Sequence, residues 1–201
     1  RFHRLFVSMG WEVVTIKYGK LLHRAFEQPG GEALRQWIDS CPNSKYSTLV
    51  YKGGEAWREA LQADIGSRPG VSELLGRYDD RALNVLMTNL GGHCIESMLE
   101  AFEDVGDDKP TCFFAYTIKG FGLPLAGHKD NHAGMLTPDQ IQRLKSEHNV
   151  DNGEEWSPSG GTGVSASDLR LFIESAPFFT VNQRRKTSPV VAVPDPFPRP
   201  D

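Results

Sequence analysis

The stretch Cys112-Phe113-Phe114-Ala115-Tyr116-Thr117-Ile118-Lys119-Gly120-Phe121-Gly122 decides the fold. Up to Ile118 it is short and nearly all apolar, and the polar turn Asp107-Asp108-Lys109-Pro110 precedes it. A run of this kind, bounded by turns, predicts a central strand of a parallel sheet, buried on both faces. Upstream, residues 94–105 carry Ile95, Met98, Leu99, Ala101 and Phe102 at a helical period. Downstream, residues 119–135 form a long loop rich in glycine. Helix, buried strand and glycine-rich loop predict an α/β protein with an open, mainly parallel sheet and flanking helices.

Working outward, residues 1–9 read as the end of an amphipathic helix stopped by Gly10. Trp11-Glu12-Val13-Val14-Thr15-Ile16-Lys17-Tyr18 is rich in β-branched and aromatic residues and reads as a strand. Helices are expected over 21–26, 32–40, 54–65, 71–78 and 80–89, separated by Gly/Pro punctuation. Tyr46-Ser47-Thr48-Leu49-Val50-Tyr51 reads as a short strand or extended connection. Thr137-Pro138-Asp139-Gln140 opens a helix reaching about residue 148, with Thr as N-cap and Pro at the first helical position. From Asp151 the composition changes. Residues 154–166 are rich in Gly and Ser, 168–174 suit one short helix, and 187–201 hold five prolines. The expected organisation is one domain over 1–150, followed by a largely irregular interdomain connector over 151–201.

The 201 residues are 39% hydrophobic and 24% charged, with a net charge of -4, ordinary values for a chain able to bury a core. Nucleic acid is not an expected partner. The one basic block, Arg184-Arg185-Lys186, reads as a solvated face. No apolar run approaches membrane-spanning length. The opening residues lack the pattern of a signal peptide. The chain has no initiator Met and begins with helical character, as a piece of a longer protein would. Cys41, Cys94 and Cys112 are widely spaced, without a CxxC pair, and suit reduced thiols in the cytoplasm.

In open α/β sheets ligands bind beyond the carboxyl ends of the strands. Lys119 would place a point charge there, while Gly120 and Gly122 would let backbone approach a phosphate. His128 and His132 would donate to an anion or move a proton. The structural alternative is an ordinary polar loop. A zinc site is disfavoured, since Asp130 is the only further ligand type nearby. Gly91-Gly92-His93 precedes a helix and reads either as an anion cradle or, more simply, as a capping loop.

Taken together, three motifs carry a resemblance. Thr117-Ile118-Lys119-Gly120-Phe121-Gly122, with Asn131-His132 after a gap, resembles the "TIKGYG … NIAH" stretch of homodimeric-type pyruvate dehydrogenase, a transketolase-like thiamine-diphosphate enzyme. Asn89-Leu90-Gly91-Gly92-His93 resembles that family's "NRGGH", and Gly10-Trp11-Glu12-Val13 its "GWNVIKV". The resemblance covers residues 1–150 and implies part of the diphosphate-binding domain. It implies thiamine diphosphate and Mg²⁺ as cofactors, a homodimer, a 2-oxo acid substrate and a lipoyl-bearing acyltransferase partner. Lys119 would match the lysine near cofactor and substrate. His132 would match the histidine of a mobile loop that assists acyl transfer. His128 would be a further catalytic candidate. The metal motif, Gly-Asp-Gly followed by Asn, is missing, so the Mg²⁺ ligands would lie upstream of Arg1 and the activating glutamate downstream of Asp201. The isolated piece is therefore expected to be inactive. The form Gly127-His128-Lys129-Asp130-Asn131-His132-Ala133-Gly134 departs from the bacterial pyruvate enzyme towards relatives acting on other 2-oxo acids. The alternatives are a transketolase acting on sugar phosphates, against which Lys119 argues, and a degenerate, non-catalytic module.

Overall fold

The computed structural model describes residues 2–106 and 108–176. The basic triplet at 184–186 and the prolines of 187–201 lie outside the described residues. The chain divides into two compact units, one ending at Thr137 and one beginning at Pro138.

The first unit opens with α1 (Phe2–Ser8) and β1 (Glu12–Ile16), followed by six short helices: α2 (Lys20–Phe26), α3 (Gly31–Ser40), α4 (Asn43–Lys52), α5 (Gly54–Ile65), α6 (Val71–Gly76) and α7 (Asp80–Thr88). A single 3₁₀ turn (Gly91–His93), α8 (Ile95–Glu103) and β2 (Thr111–Ala115) complete the regular structure. The strands pair in parallel, Glu12 against Thr111 through Ile16 against Ala115. The chain is therefore α/β, with helices flanking a small parallel sheet.

The core lies among the helices. Leu34, Trp37 and Ile38 of α3, Trp57, Leu61 and Ile65 of α5, and Leu83, Leu86 and Met87 of α7 are all buried. Each set recurs at three- and four-residue spacing, which puts it on one face of its helix. Each fully buried side chain of this size contributes roughly 1.5–3 kcal/mol. Arg58 ties the layer together from α5: its guanidinium donates to the carbonyls of Leu75 at 3.1 Å and Tyr78 at 2.6 Å, and to Asp80 at 2.6 Å. Asp79 caps α7 by accepting from the Ala82 amide at 2.6 Å.

Two expectations are corrected here. Residues 46–51 are helical, inside α4. Their β-branched and aromatic composition favours a strand, but Tyr46, Leu49 and Val50 share one helical face, with Leu49 buried in the core and the other two packed on it. Thr48 bonds back to the Ser44 carbonyl at 2.8 Å, as helical Thr does. Second, β2 is neither central nor buried on both faces. It is half-buried, and among the described residues the sheet has two strands, so both are edges. The run still alternates between two covers: Phe113 meets Phe102 of α8 edge-on at 4.8 Å, and Phe114 meets Phe6 of α1 at 5.8 Å.

The second unit holds α9 (Pro138–Glu147) and α10 (Ala166–Ser175). Neither helix buries a residue. Ser165 caps α10, accepting from Asp168 N at 3.1 Å. Lys145 binds Asn152 at 2.7 Å and pairs with Glu155, fastening the end of α9 to the loop beyond it. No described helix is long and apolar enough to cross a membrane.

Candidate functional site

Parallel pairing brings the carboxyl ends of β1 and β2 to one side, where Lys17-Tyr18 and Tyr116-Thr117-Ile118-Lys119 leave the sheet. The Gly91–His93 turn bridges the two exits. The Gly91 amide donates to the Lys17 carbonyl at 3.0 Å and the Gly92 amide to the Tyr116 carbonyl at 2.9 Å. The Ile118 amide donates to Nε2 of His93 at 2.7 Å. A Cβ at Gly91 would sit 2.4 Å from the Ile16 carbonyl oxygen, and one at Gly92 2.5 Å from Thr117 Cγ2. Only glycine allows the turn to seat this closely. The His93 ring stacks flat on Phe121, with centroids 3.9 Å apart.

Beyond Ile118 the loop runs as consecutive turns. Phe121 N donates to Ile118 O, Leu123 N to Gly120 O, and Asn131 N to His128 O, all within 3.1 Å. Two side-chain contacts close it. The Asn131 amide donates to the Lys119 carbonyl at 2.5 Å, and Lys119 Nζ lies 2.9 Å from His132 Nδ1. With the lysine charged, Nδ1 accepts and the other ring nitrogen of His132 carries the proton. Both side chains are exposed. Gly120, at φ +73°, leaves room for Asn131, whose Nδ2 would be 2.6 Å from a Cβ. Gly122, at φ +80°, faces open space.

The far end of the loop docks on α4. Gly127 lies against that helix, where a Cβ would be 2.3 Å from the Ser47 carbonyl oxygen. The His128 ring packs on Tyr51 at 4.5 Å, and its Nδ1 accepts from the Asp130 amide at 3.2 Å. Between loop, sheet exits and α4 lies a cavity of about 540 Å³. Its lining includes Lys17, Asp39, Tyr116, Lys119, His128 and Asn131. Lys119 and His128 thus reach one cavity, and Lys119 reaches His132 as well; Gly120 and Gly122 shape the loop.

The cavity wall holds a second polar group that sequence reading misses. Asp39, on α3, accepts from both Lys17 and Tyr18. Burial pushes the Asp39 carboxyl up, but these two donors and the charges of Lys17 and Arg35 outweigh it and hold it below the usual carboxylate range. Burial, then Asp39, push the Tyr18 phenol above its ordinary range. His93 is also missed as a structural partner. Its signal was the glycine pair before it, which marks two close backbone approaches. Burial lowers the His93 pKa.

These side chains offer cations, amides and imidazoles, which suit an anionic ligand. Among the described residues no group of three His, Cys, Asp or Glu side chains is arranged to hold a metal ion. Cys41, Cys94 and Cys112 are free thiols.

The chain is 25% identical to the pyruvate dehydrogenase E1 component of Escherichia coli strain K12 over 151 residues, 73% of this chain and 16% of that protein. It is 27% identical to that of Corynebacterium glutamicum over 141 residues, 69% of this chain and 14% of that protein. It is 24% identical to that of Cupriavidus necator over 150 residues, 72% of this chain and 16% of that protein. This chain is distantly similar to pyruvate dehydrogenase E1 components. It spans about a sixth of the length of these curated relatives. No family model matches it.

Proposed function

We propose that this chain is part of a thiamine-diphosphate-dependent 2-oxo acid dehydrogenase component of the E1 kind. Its glycine-rich loop would contribute to the active site. The observation that carries this reading is the convergence of Lys119, His128, Asn131 and His132 at the carboxyl ends of two parallel strands, in a chain similar to E1 components.

Each residue has work it can do there. Lys119 supplies a charge to the cofactor diphosphate or the substrate carboxylate, with the backbone around Gly120 and Gly122 beside it. His132 presents a ring N–H whose orientation Lys119 sets, ready to donate a proton to an acyl oxygen or to the thiolate that departs when the lipoyl disulfide opens. His128 lines the cavity and is positioned by Tyr51. The loop, anchored by His93 at one end and α4 at the other, would exclude water as it closes. When bound, thiamine diphosphate supplies the electron sink that accepts the pair left as carbon dioxide departs. The described residues do not form a Mg²⁺ site, which needs several oxygen ligands in octahedral order. The metal, the acceptor lipoyl group, the homodimer and the cytoplasmic setting are proposals about the larger protein.

The test uses the intact protein with thiamine diphosphate, Mg²⁺ and a panel of 2-oxo acids, reading carbon dioxide release. His132→Ala and Lys119→Met are each expected to lower turnover by about 10²-fold or more. Absence of turnover on every 2-oxo acid, or full activity in both variants, would overturn the reading.

A further inference from the structure

We infer that His93 is a positioning residue that fixes the exit of β2, and with it the Lys119–His132 pair, by accepting the Ile118 amide on an unprotonated Nε2. The inference does not rest on the thiamine reading, because it concerns how this chain holds its own loop.

Three consecutive residues divide one task. Gly91 ties the turn to the end of β1, Gly92 ties it to the end of β2, and His93 reaches two residues further along to Ile118. Lys119 follows directly. The Ile118 carbonyl receives the Phe121 amide, starting the first loop turn, and the Phe121 ring stacks on His93. One imidazole therefore contacts both ends of that turn, through an acceptor nitrogen and a ring face.

The acceptor role dictates the tautomer. Nε2 must be bare, so the proton of the neutral ring sits on Nδ1. Protonation turns Nε2 into a donor facing an N–H donor, and the contact becomes repulsive. The titratable groups on the surrounding elements are Lys17 and Lys20 after β1, Tyr116 and Lys119 after β2, and Cys94 and Glu96 beyond the turn. Burial of the His93 ring favours its neutral form. The folded pKa lies below the ordinary value of 6.5. The contact is thus intact above that value and lost as pH falls through the lower folded one.

The experiment is amide exchange and ring-nitrogen NMR on the 201-residue chain. After correction for intrinsic exchange, protection of the Ile118 amide is expected to drop about tenfold as the His93 ring takes up its second proton, in step with the ring-nitrogen shifts that report that proton. His93→Gln retains an acceptor that does not titrate and should give a flat profile. His93→Phe retains the stacked ring without an acceptor and should be unprotected throughout. Parallel pH profiles for wild type and His93→Gln would overturn the inference. Should the variants fail to fold, the wild type decides alone: a His93 ring carrying its proton on Nε2 near pH 8 rejects it, and one carrying it on Nδ1 upholds it.

Discussion

Asn131 reaches back to the carbonyl of Lys119, 12 residues earlier, at 2.5 Å, and does so through the space left by the missing side chain of Gly120. The contact turns an otherwise open loop into a closed one, because its two ends then share a hydrogen bond. Holding Lys119 by its backbone leaves its ammonium free for His132.

Gly120→Ala should therefore cost more than Gly122→Ala. Both positions have positive φ, so each alanine carries about 1–2 kcal/mol of backbone strain. Only at Gly120 does the new Cβ also meet the Asn131 amide, 2.6 Å away. Limited proteolysis within residues 119–135 should quicken markedly in the Gly120 variant and slightly in the Gly122 variant. Equal cleavage rates would show that the Asn131 contact does not hold the loop.

Gly127→Ala tests the other anchor. Its Cβ would meet the Ser47 carbonyl oxygen 2.3 Å away, and φ is +76°. The loop should lift from α4 and carry His128 off the Tyr51 ring. The ring-current shift that Tyr51 imposes on the His128 protons should disappear, while the urea midpoint of the helical core moves little. A variant whose His128 shifts match wild type would place the docking elsewhere.

Apart from α4, the helices of the core were legible because each carries a buried face at helical spacing close to a Gly or Pro. The strand at 111–115 was legible as a strand, but its burial was not, since burial belongs to neighbours rather than to the run itself. Residues 46–51 misled because Thr, Val and Tyr favour strands locally, whereas the packing of Leu49 and Tyr46 beside Trp57 decides the matter. Lys119, His128 and His132 could be marked as a group because they share one glycine-rich loop. Asp39 could not, since 80 residues of sequence separate it from Lys119, and His93, marked only as part of the Gly91-Gly92-His93 loop, gave no sign of its partner Ile118, 25 residues away, because only the fold brings them to the same edge.

Trp57 is wholly buried between Tyr46, at 4.8 Å, and Trp37, at 6.2 Å, yet its indole N–H has no hydrogen-bond partner among the described residues. Trp57→Ala should cost about 3–5 kcal/mol through the cavity it leaves. Trp57→Phe removes the unsatisfied donor together with part of the volume, so the two effects oppose and the loss should stay within about 1–2 kcal/mol. Urea denaturation of the three proteins measures this. A Phe variant as unstable as the Ala variant would mean that the indole N–H is satisfied.

Asp39 should make stability depend on pH in acid. Its carboxyl is held below the ordinary 3.8 by Lys17 and Tyr18, against the upward push of burial. A depressed folded pKa means that the unfolded chain takes up the proton first. The stabilisation is present above about pH 3.8 and disappears as pH falls through the folded value. Asp39→Asn removes the titration. The Asp39 side chain is 47% exposed, so solvent screens the pair, and the loss near pH 7 should be only about 1 kcal/mol. The stability gap between wild type and variant, read from urea midpoints, should be constant from about pH 7 to about pH 5 and narrow below about pH 4. A gap that stays unchanged below that point would mean that Asp39 titrates alike in folded and unfolded chains, and that Lys17 and Tyr18 do not hold its charge at the cavity wall.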